Sequence, residues 1–416
     1  MNFPTLIRTI LLCMIVMPVR AQADWPQFRG PDGQGHSNES GVPLNWGENT
    51  NVTWKCEVPG DGFSSPVIRG DQIWMTSSMQ EGKSLHAICI DRPSGSVLHN
   101  IEVLTPTDVG SKHGLNGYAS PTPVLDDDHA FVHFGGHGTV CLDRDGNIVW
   151  KNTELPYSGV QGSASSPILH GDMVILTCDG NDTQFVAALD RKTGDVRWKQ
   201  PRVHYEGKGK EDDFFKMAYS TPLVATVDGV DQLVSTAADH VIAYDVRSGE
   251  ELWWMPYIGC SQVARPSYGH GLFYVVGTLK LDDHCIYAIR PGSGRIETDR
   301  VAWQHSKGVG HVPSPLLVGQ ELYFVNDDGI ATCLDALTGE QHWRERLGGK
   351  FRASPIEVQG RIYFNSEEGK TTVVAAGKEF RVLSTNELDG ILMASIAVSD
   401  GALYLRSDKH LYRIDE

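Results

Sequence analysis

One ten-residue pattern constrains this chain more than any other: Asp-x-x-Thr/Ser-Gly followed by a strand with Trp four residues after the Gly. It appears as LDRKTGDVRW ending at Trp198, YDVRSGEELW ending at Trp253 and LDALTGEQHW ending at Trp343. A shorter form, LDRDGNIVW, ends at Trp150, and IDRPSGSVLH has His99 in the Trp place. IRPGSGRIET keeps the glycine, Gly294, and places Thr298 where Trp is expected. Asp and Gly at these offsets make a tight turn, Asp by bonding its own backbone and Gly by accepting positive φ. Each copy is therefore a hairpin between two strands, and its repetition makes the strands a series.

A second punctuation mark runs in phase with the first. A strand-opening proline recurs at Pro66, Pro123, Pro167, Pro222, Pro266, Pro315 and Pro355. In the best copy, His311 to Trp343, four short apolar strands are separated by Gly319, by Asn326-Asp327-Asp328-Gly329 and by the Asp335 turn. Four antiparallel strands alone would leave an apolar face and two open edges. Stacking on copies of themselves solves this, and a four-strand period of 40 to 57 residues predicts a β-propeller. Met393-Ala394-Ser395-Ile396 is a degraded eighth start, and the chain ends at Glu416 where a third strand should finish. The missing strand is predicted at Val52-Thr53-Trp54-Lys55, since Trp54 precedes Pro66 as Trp343 precedes Pro355. The fold class is thus all-β: an eight-bladed propeller of four-stranded antiparallel blades, closed by an N-terminal strand.

Three regions follow: a signal peptide over 1–23, an extended segment over 24–51 packed on the ring, and the propeller over 52–416. Arg8, the apolar run Thr9 to Val16 and the small-x-small site Ala21-Gln22-Ala23 read as an export signal. The run is too short to span a bilayer, and Cys13 sits poorly for lipid attachment. A soluble, exported chain, periplasmic or extracellular, is expected, as a monomer without a membrane span. The segment 24–51 carries Trp25, Phe28 and Trp46, which a free linker would not need. The net charge of −16 becomes more negative once Arg8 and Arg20 leave with the signal, and no basic stripe exists. Nucleic acid is therefore excluded as a partner. Cys89, Cys141 and Cys333 occupy a repeat position that is Ala188, Ala243 and Ala288 elsewhere, so they are expected as small buried thiols. Cys56, Cys178, Cys260 and Cys285 are left open, and no Cys/His spacing suggests zinc.

The Ala/Cys-x-Asp-x-x-Thr/Ser-Gly-x-x-x-Trp element resembles the repeat of pyrroloquinoline-quinone (PQQ) propellers, over Trp54 to Glu416. That resemblance covers two branches: quinoprotein dehydrogenases, and cofactor-free propellers of the BamB type that assist outer-membrane assembly. It implies that Trp54, Trp150, Trp198, Trp253 and Trp343 wedge between blades. The dehydrogenase branch uses calcium, an aspartate base and often an adjacent Cys-Cys disulfide. No Cys-Cys pair occurs here, and Asp91, Asp143, Asp190, Asp245, Asp335 and Asp415 belong to separate blades. The reading is a binding or scaffolding module with no catalytic residue, no metal, and neither PQQ nor calcium; the alternative is a quinoprotein-like oxidoreductase.

The ligand or partner is expected at one mouth of the channel, and to be a protein or an anionic or carbohydrate-like group. Residues just before the strand-opening positions should crowd there: Phe63, Tyr118, Ser163, Tyr219, Arg265, His311, Arg352 and Met393. Two long interblade loops, His99 to Pro123 and Trp198 to Pro222, should bring Lys112, His113, Asn116 and Lys216 to the same place. The candidate ligand residues are therefore Lys112, His113, Asn116, Tyr118, Lys216, Tyr219, Arg265, His311 and Arg352. Alanine at Arg265 and Arg352 is expected to spare stability.

Overall fold

The computed structural model describes residues 24–206, 212–280 and 283–416. The predicted export signal, with Cys13 and the predicted cleavage site, lies outside the described residues, as does the centre of the second long loop. The described residues form eight sheets in chain order around an axis, each built on four antiparallel strands. Blade 6 is typical, with strands Leu316–Val318, Glu321–Val325, Ile330–Asp335 and Gln341–Arg346. Blades 1 to 5 precede it over 67–104, 124–152, 168–201, 223–256 and 267–305, and blade 7 follows over 356–387.

Blade 8 contains only three strands from the C-terminus, and Val52–Glu57 supplies its outermost one, paired antiparallel to His410–Ile414. The ring is closed as expected. Antiparallel topology puts the inner hairpins and the Asp-x-x-Thr/Ser-Gly turns on one face, here called lower. The outer-to-inner crossovers and the remaining hairpins lie on the upper face.

The turn motif does what its residues dictate. Asp190 accepts from the backbone N–H of Lys192 and Thr193, and Asp245 and Asp335 accept in the same way from their own turns. Gly194 has φ of +79°, and a Cβ there would lie 2.6 Å from the Trp150 ring. Glycine is required twice over, for the left-handed backbone and for the indole lying on it. The Trp150 Nε1 donates to the Arg191 carbonyl of blade 3 at 3.0 Å. Trp54 and Trp343 dock on the next blade in the same way, at 3.0 and 3.1 Å. Apolar side chains accordingly cluster between adjacent blades, as where Val174, Leu176 and Phe185 of blade 3 meet Phe131 and Trp150 of blade 2.

Blade 5 corrects the sequence reading. Thr298 does not take the Trp place; Trp303 does, paired with Ala288 and donating to the Ala336 carbonyl at 2.9 Å. The turn around Gly294 is diverted, because Gly294–Arg295 adds a parallel fifth strand to blade 4 at Trp253–Trp254. Trp253, fully buried, therefore bonds Gln232 Oε1 of its own blade at 2.8 Å instead of a neighbouring turn. Cys89, Cys141 and Cys333 are buried, and none of the seven described cysteines forms a disulfide.

The segment before Val52 crosses the lower face. Trp25 exchanges backbone hydrogen bonds with Ile68 of blade 1, and the Pro26 carbonyl accepts from Leu125 of blade 2. Phe28 then lies on the axis, and its carbonyl accepts from Arg265 Nη1 of blade 5 at 2.8 Å. Beyond the axis, His36–Ser37 pairs in parallel with Glu357–Val358 of blade 7. Trp46 finally packs on Tyr363, with ring centroids 6.2 Å apart. This route stoppers the channel from below and leads the chain into the closing strand.

Candidate functional site

Inner strands converge on the axis, so the residue three places before each strand-opening position meets its seven equivalents. Those residues are Phe63, Ser120, Ala164, Tyr219, Val263, Val312, Arg352 and Met393, and all eight line one axial cavity of about 440 Å³. Phe28 is its floor. A cavity of this size, apolar in part with a few convergent polar groups, is the usual form of a small-molecule site.

One layer deeper, the residue immediately before each strand-opening position is Ser65, Thr122, Ser166, Thr221, Arg265, Ser314, Ser354 or Ser395. The seven hydroxyl residues all line the cavity and are at most 6% exposed. They tie the blades together. The backbone N–H of Ser65 donates to Thr122 Oγ1, Thr122 to Ser166 Oγ and Ser166 to Thr221 Oγ1, each at 2.9 Å. Arg265, Ser314 and Ser354 continue the chain of donors to Ser314, Ser354 and Ser395, and Ser395 returns to Ser65 Oγ at 3.1 Å, so the belt runs round the axis with one gap, between Thr221 and Arg265.

This belt was not anticipated as part of a site. Its signal was visible, a Ser or Thr before the proline in nearly every repeat, but it reads as a strand start when seen one repeat at a time.

At the upper mouth, Arg352 pairs with Asp327, whose other oxygen accepts the His311 backbone N–H at 2.6 Å. Glu367 lies 3.6 Å from the Arg352 Nε. The His311 ring stacks on His284, with centroids 4.8 Å apart, and its Nε2 meets the Ser261 carbonyl at 2.5 Å. Ser261 sits in the left-handed region with φ of 56°, a strained backbone placed at the cavity edge. Gln161 accepts through its carbonyl from the His113 N–H and the Asn116 Nδ2, which fixes the first long loop over the mouth.

Of the nine residues singled out from the sequence, His113, Asn116, Tyr219, His311 and Arg352 line the cavity. Tyr118 does not; with Ser163 it lines a neighbouring cleft of about 260 Å³. Lys112 donates to the Asn116 carbonyl at 3.2 Å and lies over the Tyr118 ring, while Lys216 pairs with Asp213 at 2.5 Å; neither lines the cavity.

Arg265 is the clearest correction. It precedes its proline by one residue rather than three, so it falls in the belt layer, 2% exposed, bonded to the Phe28 and Pro222 carbonyls. Burial pulls its guanidinium down to about 10, and burial with Arg265 beside it pulls Arg29 down to about 9. Alanine at Arg265 would leave two buried carbonyls without their donor, so stability would not be spared.

A calcium site does not fit these residues. Calcium takes six or more oxygen ligands, several of them carboxylates. Among the described residues Asp327 is the one carboxylate lining the cavity, and it is held by Arg352 and His311. Among the described residues no group of three His, Cys, Asp or Glu is placed to hold a metal ion.

With this geometry in view, the comparisons with known proteins fall into place. The family model for the outer membrane protein assembly factor BamB matches residues 84–297 and 282–392. The BamB of Shewanella oneidensis is 26% identical over 261 residues, 61% of this chain and 60% of that protein. The BamB of Yersinia pestis is 26% identical over 200 residues, 44% of this chain and 49% of that protein. The chain thus spans less than two thirds of the length of the curated relatives it matches.

Among solved structures, BamB from Moraxella catarrhalis superposes with a TM-score of 0.62 at 16% identity, covering 88% of this chain and 97% of that one. Quinohemoprotein alcohol dehydrogenase from Comamonas testosteroni gives 0.67 at 11% identity, covering 94% and 80%. At such identities these likenesses show the fold alone. Its repeats and the matched span place the chain in the PQQ-repeat propeller family described by the outer membrane protein assembly factor BamB.

Proposed function

We propose that the protein is an exported binding or scaffolding module that receives a ligand or a partner's side chain in its axial cavity, and that it works without PQQ or calcium. The observation that carries this reading is the cavity itself, stoppered by Phe28 below and polar at its upper mouth. Family membership supports it, since the matched family is described by an assembly factor. The turn aspartates support the second half, because their oxygens are engaged by their own backbone amides. A quinoprotein-like oxidoreductase is the competing reading, resting on the repeat resemblance, since the dehydrogenase likeness shows the fold alone.

Occlusion tests the cavity. Val312 lines it without belonging to the hydroxyl belt or to the Arg352 pair, so Val312→Trp fills the mouth at little cost to the fold. Compounds found by screening saccharides and organic acids against the wild type should bind Val312→Trp at least about tenfold more weakly, the loss of about 1.4 kcal/mol. Unchanged affinities in a folded variant would put the binding site elsewhere.

A further inference from the structure

Every hydroxyl of the belt already uses an acceptor lone pair on a neighbour's N–H, which leaves its own O–H to be placed. Ser354 Oγ donates to Ser314 Oγ at 3.1 Å. Among the described residues, the O–H groups of Ser65, Thr122, Ser166, Thr221, Ser314 and Ser395 meet no protein acceptor, although these residues line the cavity and are at least nine-tenths buried. A serine or threonine offers one donor, and a buried donor without an acceptor is costly. Six such donors around one axis form a ring that asks for acceptor oxygens at its centre.

The charge behind the ring is carried mainly by guanidiniums, with Asp32 acting on two of them through space. Arg265 takes the eighth belt position and bonds only the Phe28 and Pro222 carbonyls. Arg29, wholly buried beneath, bonds the Gln34 carbonyl. Arg406, also buried, sits toward the upper end of blade 8, where it donates to the Ser64 carbonyl, Ser64 Oγ and the Thr76 carbonyl. Among the described residues none of the three has a hydrogen-bonded carboxylate; Asp32 offsets part of the charge of Arg29 and Arg265, and Asp61 part of that of Arg406, through space. The carboxylate of Asp327 is at the opposite end and already paired. The layer above the ring, at the mouth beside Arg352, carries Phe63, Tyr219, Val312 and Met393.

We propose, resting on the cavity reading above, that the cavity takes a small organic acid, carboxylate end down on the hydroxyl ring and apolar body against this layer. Donors aimed at an anion form the stronger class of hydrogen bond, so the ring and the guanidiniums behind it discriminate by charge. An inorganic anion would leave this layer uncovered, and a neutral polyol would leave the floor's positive charge unanswered.

Matched pairs of probes test this on the full chain: benzoate against benzamide, and glucuronate against glucose, by titration calorimetry. Each acid should bind at least about tenfold tighter than its neutral twin, the scale of one charge-assisted hydrogen bond. Ser166→Ala should shrink that ratio by about tenfold, while Thr122→Ser, which keeps the hydroxyl, should preserve it. Because the ratio is taken within one variant, partial loss of folded protein does not imitate the effect, and Ser395→Ala replaces Ser166→Ala if the latter fails to fold. Neutral twins binding as tightly as the acids, or a ratio unmoved by both alanine variants, overturns the inference. If the neutral binding is still lost in Val312→Trp, the cavity reading survives that result. Absence of binding by all four probes overturns the inference, and failure of the wider screen as well overturns the cavity reading with it.

Discussion

A chain that starts at Asp61 should fail to unfold cooperatively, whereas one that starts at Asn51 should remain folded with a lower melting temperature. The difference between the two is the strand Val52–Glu57. Without it, His410–Ile414 of blade 8 loses its ladder partner and presents an open edge. Leu411, Tyr412 and Ile414, all fully buried, lose cover, and the Trp54 dock on the Arg92 carbonyl of blade 1 disappears. Exposing one large buried side chain costs about 2–3 kcal/mol, so losses at several exceed a typical stability of about 5–15 kcal/mol or consume most of it. The shorter deletion removes Trp25 and the Phe28 stopper but leaves the ring closed. Thermal unfolding followed by circular dichroism separates the two, and equal transitions for both chains would mean that the strand does not close the ring.

Asp239→Asn should stabilise the protein above pH 7 and leave it unchanged near pH 4. Asp239, 3% exposed at the head of blade 4, accepts the Glu206 N–H at 2.9 Å and faces His240 Nδ1 at 2.8 Å. Burial pushes its carboxyl from 3.8 up to about 7; the Glu206 N–H opposes the rise, Glu206 itself adds to it and Lys216 reduces it. His240 brings no compensating charge, because burial beside Arg202 and His204 holds it neutral well below its ordinary range.

The folded state therefore keeps a proton that the unfolded state releases between pH 3.8 and about 7, so stability falls as pH rises through that window and is level beyond it. The shift corresponds to at most about 4 kcal/mol. Asparagine keeps the acceptor for Glu206 and has no charge to bury. Urea unfolding of both proteins from pH 4 to pH 8 should show curves that diverge with rising pH; parallel curves would remove Asp239 from the account.

Local chemistry accounts for what was readable in advance. The blades were legible because turn, strand start and docking indole each depend on one or two residue types at fixed offsets, as Asp190, Gly194 and Trp198 illustrate. Blade 5 was misread because an insertion after Gly294 moved Trp303 five residues beyond its expected place. The site was harder for a related reason. Which residue of a repeat reaches the axis depends on the layer it occupies, and a shift of two residues separates Arg352 at the mouth from Arg265 at the floor. Spacing to the proline was the needed guide, and residue type was the misleading one. Nor could composition reveal that Arg352 is matched by Asp327, or that the hydroxyls before the prolines link blade to blade around the axis, because both depend on neighbours far apart in the chain.

Reconstitution with PQQ and calcium, read by equilibrium dialysis and by dye reduction with alcohols and sugars, separates a binding module from an oxidoreductase. The single carboxylate among the described residues of the cavity, with the turn-bound aspartates, predicts no stoichiometric cofactor and no turnover above a protein-free control. One equivalent of PQQ retained with calcium-dependent dye reduction would contradict the account.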